Sequence, residues 1–355
     1  MCKRLLASIC VLLLVSGCAI HPVPEDVTGV DTYHIVRQIR CETRKAVIDF
    51  LMRQLRRQAE LQGDPIAQKL LLKYESEPAA INAFNPGLFP GPDYVQYRHF
   101  YNLIYSAAIA YTFDLTMTEQ NDLGTNLNFL GPWKSKFTLN VTGNADRQRS
   151  NRRTFTITDT FQFLLANLNR ADETGVLYCD GQIAQANYIY PIAGEIGVYK
   201  TVKSFFELVV LGGLSAKGAA PGADGAPTMV DDLKFTTTVD LSGMPKVVST
   251  PIGTGFQPLD ASLTGLARRM DIHEVTVGLA VLPSGVVDAG PLRGFLFPGP
   301  GIAGRASGLA DRAMGAGSLF VGNRVTGKGR TPAERLAVNA VDQVKSQQIQ
   351  LITSP

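Results

Sequence analysis

The chain has 355 residues, enough for one large domain or two modest ones, and 45% hydrophobic against 18% charged residues excludes a disordered polar chain. Formal net charge is +3, and loss of Lys3 and Arg4 with an N-terminal leader leaves 32 basic against 31 acidic residues, or +1. A balance that close to zero supplies no general field for polyanions, so no nucleic-acid partner is expected.

Lys3 and Arg4 open the chain, Leu5 to Val15 form an apolar run of signal-peptide length, and Val15-Ser16-Gly17-Cys18 closes it. Small residues followed directly by a cysteine resemble the lipobox of bacterial lipoprotein precursors. That resemblance implies a signal peptide over residues 1–17, cleavage before Cys18, diacylglycerol on its thiol and a further acyl chain, such as palmitate, on the new amine. Ala19 stands where Asp goes with retention at the inner membrane, so the resemblance implies an outer-membrane lipid anchor facing the periplasm. A transmembrane anchor needs about 20 apolar residues. The next apolar run, Phe205 to Leu214, is broken by Glu207 and two glycines.

Of five cysteines, Cys2 and Cys10 leave with the signal and Cys18 takes the lipid, so Cys41 and Cys179 remain. In an oxidising compartment they are a disulfide candidate, worth about 4–5 kcal/mol in the chain-entropy model. The alternative is two buried free thiols packed as small hydrophobes.

Residues 18–30, with Pro22, Pro24 and Gly29, read as a short tether, and residues 31–282 as the globular body. Asp31 or Thr32 caps a helix carrying Ile35, Ile39, Val47, Phe50, Leu51 and Leu55 at helical spacing, stopped by Gly63-Asp64-Pro65. A second helix covers Ile66 to Glu75. Past the turns at Asn85-Pro86-Gly87 and Phe89 to Pro92, Tyr94, Tyr97, Phe100, Tyr101 and Tyr105 share a helix face. That face is either packed core or a ligand wall.

Strict alternation marks strands at Tyr111 to Thr118, Lys136 to Val141 and Thr154 to Thr158, with Thr142-Gly143-Asn144 as a turn and Phe161 to Phe163 continuing the sheet. Arg147, Arg149, Arg152 and Arg153 then fall on a hairpin loop, solvated or binding an anion or headgroup. A helix is expected over Gly194 to Leu211 and a flexible loop over Ser215 to Pro227. A meander follows: Leu233 to Leu241, a turn at Ser242 to Pro245, Lys246 to Thr250, and His273 to Leu282. Residues 283–330 are a Gly/Pro-rich flexible region. Thr331-Pro332-Ala333-Glu334 starts a closing helix within residues 331–355. The fold expected is α+β: N-terminal helices packed with an antiparallel sheet or sandwich, then the Gly-rich region and the last helix.

Two nucleotide-like motifs fail on their own mechanics. Gly299-Pro-Gly301-Ile-Ala-Gly304 lacks an acid near a strand end downstream, and Gly322 to Lys328 is followed by Gly329 where a Ser or Thr would bind magnesium. No cofactor, nucleotide or metal is expected, and no catalytic residue is assigned. Asp271-Ile272-His273-Glu274 is the one compact acid–base cluster, with Asp271 and His273 on one strand face.

The body resembles uncharacterised proteobacterial lipoproteins, which implies an address and no chemistry. The reading is an envelope lipoprotein held to the membrane through Cys18, a non-enzymatic interaction or assembly module whose candidate partner is another envelope protein. The alternative is a periplasmic hydrolase or small-ligand binder using the Tyr94 to Tyr105 face or Asp271 and His273. An integral β-barrel is disfavoured because the strands are few and separated by helices.

Overall fold

The computed structural model describes residues 21–130, 138–182, 187–212, 214, 226–244, 246–248, 257–282 and 330–353. The signal segment with Cys18 and the 283–329 tract with both nucleotide-like motifs lie outside the described residues.

Helix α1 (Glu25–Thr28) is a single turn ended by Gly29 at φ +67°. Helix α2 (Thr32–Gln62) buries Ile35, Ile39, Val47, Phe50, Leu51 and Leu55, the positions set by its spacing. It ends where Gly63 takes φ +64°. The Asp64 carboxylate then accepts from the Ala67 N–H at 2.7 Å, and Pro65 fills the first turn of α3 (Pro65–Ser76). Three short 3₁₀ turns lead to α4 (Val95–Ser106).

Five strands form one sheet: β1 (Ala108–Leu130), β2 (Thr138–Thr160), β3 (Thr228–Gly243), β4 (Lys246–Val248) and β5 (Gln257–Ala280). The order is β2-β1-β5-β3, with β4 also on β5. The architecture is α+β with an antiparallel sheet, as the composition and patterning lead one to expect.

Several local expectations are corrected. Arg147, Arg149, Arg152 and Arg153 lie inside β2, not on a loop. Cross-strand carboxylates make this possible: Arg149 meets Glu119 at 2.5 Å, and Arg152 forks onto Asp114. Thr142-Gly143-Asn144 is also strand, with Thr125 donating to the Gly143 carbonyl at 3.3 Å. Phe161–Phe163 is helix α5, capped by the Thr160 hydroxyl accepting from the Phe163 N–H. Strands β3 and β4, on either side of the turn expected at Ser242 to Pro245, lie in one register along β5: Asp240 meets Arg268 and Lys246 pairs with Ser262. Strand β5 begins at Gln257 rather than His273, and the expected helix over Gly194 to Leu211 starts as α6 (Val198–Glu207).

The chain divides into two compact units, and each long strand contributes to both. Unit 1 holds residues 1–32, 114–154 and 234–273. Its strands are open to solvent over much of their length, and β2 is exposed throughout Thr138–Ser150. Against them lies the tether segment: Pro22 and Pro24 are buried, and the Pro22 carbonyl accepts from Asn151 at 3.0 Å.

Unit 2 holds residues 33–113, 155–233 and 274–355 and carries a core rich in aromatics. Phe50 stacks on Phe206 with centroids 5.1 Å apart, Phe161 meets Phe206 edge-on, and Phe113 stacks on Phe155 at 4.8 Å. The last helix, α7 (Pro332–Thr353), closes one side of this core. Its start is a reciprocal cap, with Thr331 N–H donating to Glu334 at 2.7 Å and Glu334 N–H to the Thr331 hydroxyl at 3.3 Å. Glu334 also accepts from Thr158, which joins the cap to β2. A β-carbon at Gly278 would sit 2.6 Å from the Ala337 carbonyl oxygen, so only glycine lets α7 approach β5 this closely.

Candidate functional site

Three places carry chemistry of the kind the sequence singles out. The first is the Arg269, Asp271 and His273 row of β5, residues that alternation puts on one face. Arg269 grips Asp271 with two bonds, Nε to Oδ1 at 2.9 Å and Nη2 to Oδ2 at 3.1 Å. Its other contacts are Glu119 at 3.2 Å, Asp26 at 3.4 Å and the Val23 carbonyl at 2.6 Å. His273 Nε2 stands 3.9 Å from Asp271 Oδ2, an ion-pair distance rather than a hydrogen bond.

Asp271 and His273 are each 1% exposed. Burial pushes the His273 pKa down to about 4, against the pull of the Asp271 carboxylate and with the push of Arg269. The imidazole is therefore neutral at pH 7 and closed to solvent. The pair does share a face, but it is neither a poised acid–base couple nor the solvated strand edge that polar residues so spaced suggest. It is a buried charge network continued outward through Glu119 to Arg149.

A pH test follows from that burial. Unfolded, His273 titrates near 6.5; folded, near 4, so the unfolded chain takes up more protons between these values. Its contribution is complete above pH 6.5 and is lost as pH falls toward 4, by up to about 3 kcal/mol. Urea midpoints at pH 7 and pH 4.5 should differ more in the wild type than in His273→Asn. Equal pH dependence in both would refute this assignment.

The second place is the aromatic run on α4. Phe100 and Tyr101 are fully buried. Tyr101 stacks on Phe89 at 5.0 Å, meets Phe84 edge-on at 5.3 Å, and donates to Gln58 at 2.9 Å. Phe89 also stacks on Tyr97. Tyr94, Tyr97 and Tyr105 are half-buried at its margin. This is a packed core face.

The third was not legible in the sequence: a cavity of about 470 Å³ in unit 2, lined by Ile48, Met52, Tyr74 and Ile81 around Arg44 and Asn82. Arg44 donates to Asn82 at 2.6 Å, while its Nε, also buried, has no partner. Burial lowers the guanidinium pKa. The chemistry offered is an apolar wall with one cation and an amide, suited to a small ligand with an acceptor head. Nothing in the local sequence marks it, because its lining comes from α2, α3, a 3₁₀ turn and the loop near Asn169 and Leu177.

Cys41 and Cys179 are joined by a disulfide with Cα atoms 5.6 Å apart. Arg37 pins the same loop, donating to the carbonyls of Tyr178 at 2.5 Å and Asp180 at 3.0 Å. Among the described residues no group of three His, Cys, Asp or Glu is placed to hold a metal ion, and no helix is long and apolar enough to cross a membrane.

Comparison with known proteins adds a family. The family model described as "Uncharacterised protein y4kA" matches residues 21–285. Uncharacterized protein y4kA of Sinorhizobium fredii (strain NBRC 101917 / NGR234) is 31% identical over 275 residues, covering 76% of this chain and 80% of that protein. Among solved structures, the type IV competence pilus secretin PilQ of V. cholerae aligns over 53% of this chain and 65% of its own. It shares 8% identity at a TM-score of 0.17, too low to indicate a common fold. The chain belongs to the y4kA family of uncharacterised proteins.

Proposed function

We propose that this protein is an exported lipoprotein of the cell envelope, tethered at the outer membrane through lipid on Cys18 and acting as a non-enzymatic interaction or assembly module. The observation that carries the reading is the pairing of a lipobox at Val15 to Cys18 with a disulfide between the two cysteines that outlast processing. Disulfides persist in oxidising compartments and are rare in the cytosol, so the covalent structure of the body agrees with the address on the leader. The burial of Asp271 and His273 favours a module over a hydrolase. The acting surface is then the solvent-open sheet of unit 1, and another envelope component its partner.

Labelling cells with a clickable palmitate analogue tests the anchor. Wild-type protein should carry label and leave the membrane fraction only in detergent, while Cys18→Ala should be unlabelled. An unlabelled wild type, or one found in the cytosol with Cys41 and Cys179 reduced, would overturn the reading.

A further inference from the structure

The open part of the sheet has two faces of opposite chemistry. In strands, alternate side chains point to opposite faces. The contacts Asn128–Asn140 at 2.8 Å, Asn128–Asp260 at 2.5 Å and Arg268–Asp240 at 3.2 Å put even-numbered residues of all four long strands on one face. That face carries Asn126, Asn128, Asn140, Thr142, Asp240 and Asp260. The odd-numbered face carries Leu123, Leu127, Leu139, Val141, Leu241 and Leu263, each 38–73% exposed. Hydrocarbon at alternate positions across four strands, open to solvent, marks an interaction surface.

Its dimensions identify the occupant. The amphipathic alternation covers residues 121–130 of β1 and 138–147 of β2, each about the 9–11 residues of a membrane-crossing strand. On β2, beyond Leu139 and Val141, the same face carries Arg147, suited to a lipid phosphate, and then Arg149, which is paired with Glu119. Just below that row the N-terminal segment is fixed, by Asn151 on the Pro22 carbonyl and Arg269 on that of Val23. Cys18 lies four residues before Pro22, a reach of at most about 14 Å. A lipid on Cys18 would therefore attach to the bilayer within about 14 Å of the fixed Pro22.

The edges identify the rest of the assembly. In the order β2-β1-β5-β3, strands β2 and β3 are the outer ones, and in an antiparallel sheet of four they run in opposite directions. The β2 of one copy can pair with the β3 of the next and continue the alternation around a closed ring, leaving no open edge.

We propose that unit 1 is a four-stranded share of a transmembrane β-barrel built by several copies of this chain, with the leucine face against lipid and the Asn/Thr/Asp face lining an aqueous pore. This rests on the reading of Cys18 as the membrane anchor. The small number of strands counts against a barrel closed by one chain, not against one shared among copies.

The test uses full-length protein, its acylation checked by mass, bearing a single new cysteine at Leu127 or Val141 on the odd face, or at Asn126 or Thr142 on the even face. With Cys18 acylated and Cys41 bonded to Cys179, only the new thiol takes an environment-sensitive fluorophore. In phosphatidylethanolamine/phosphatidylglycerol vesicles the odd positions should blue-shift and be quenched from the lipid phase. The even positions should stay water-like, and trapped calcein should escape. Leu127→Arg with Leu241→Arg, acylated and still disulfide-bonded, should lower release at least about tenfold, since a cation on the lipid face is strongly disfavoured. An acylated, vesicle-bound chain with both faces water-like would overturn the barrel and leave the anchor standing. Alternation in an unacylated chain would support insertion and remove the anchor. A blue shift at odd positions before lipid is added would put protein on that face and overturn the proposal.

Discussion

Replacing Cys41 and Cys179 together with serine lowers the unfolding free energy by about 4–5 kcal/mol, because the bridge closes a loop across a sequence separation of 138 residues. The effect arises mainly in the unfolded chain, which regains the freedom of a long loop. In the folded state the loop stays partly pinned by Arg37 on the Tyr178 and Asp180 carbonyls and by Asn169 accepting from the Cys179 N–H at 2.8 Å. The double variant should therefore fold with native secondary structure and unfold at lower urea. Reductant should shift the wild type to the variant's midpoint and leave the variant unmoved. A wild-type midpoint indifferent to reductant would contradict the account.

Glu42→Ala should cost about 3 kcal/mol, because its carboxylate serves three donors at once, the Val198 N–H fully buried and those of Ile196 and Gly197 partly so. The N–H groups of Ile196, Gly197 and Val198 each reach it at 2.8 Å, so a side chain on α2 caps the start of α6 from 154 residues away. The turn that aims these donors needs φ +89° at Gly197, a conformation that glycine adopts without strain. Burial weakens the acidity of Glu42 by more than the three N–H groups strengthen it. Glu42→Gln keeps an acceptor oxygen and should fall between wild type and alanine. Urea titration gives the free energies, and amide exchange should quicken first at residues 196–198. An alanine variant within 1 kcal/mol of wild type, by the usual scale for surface changes, would show that the three donors find other partners.

What was legible in the sequence was what is local. Gly63-Asp64-Pro65 breaks one helix and starts the next, and Thr331 with Glu334 caps the last, because each device lies within a few residues of its own effect. The middle of β2, between the strands expected at Lys136 to Val141 and Thr154 to Thr158, was not legible. Arg147 to Arg153 read as a solvated loop, since their partners, Glu119 and Asp114, come from about 30–40 residues earlier on β1. The first half of β5 was missed for a related reason: Gly265, Arg268 and Arg269 break the hydrophobic alternation that marks a strand.

The candidate site divides the same way. That Asp271 and His273 share a face follows from a spacing of two. That they are shut from solvent does not, because their closure depends on how Arg269, Glu119 and the Val23 segment assemble around them. The cavity at Arg44 and the Glu42 cap were invisible for want of any local pattern. The leucine band was half visible: Leu127 and Phe129 alternate with Asn126 and Asn128, but only the register aligns that stripe across four strands.

The exported, lipid-anchored address is tested most directly by the intact mass of membrane-extracted protein from wild type and Cys18→Ala, with and without reductant. The account predicts a wild-type chain beginning at Cys18 with added acyl mass, none on the variant, and a gain of about two daltons on reduction of the disulfide. A wild-type chain that is uncut, carries no acyl group, or keeps its mass on reduction would contradict it.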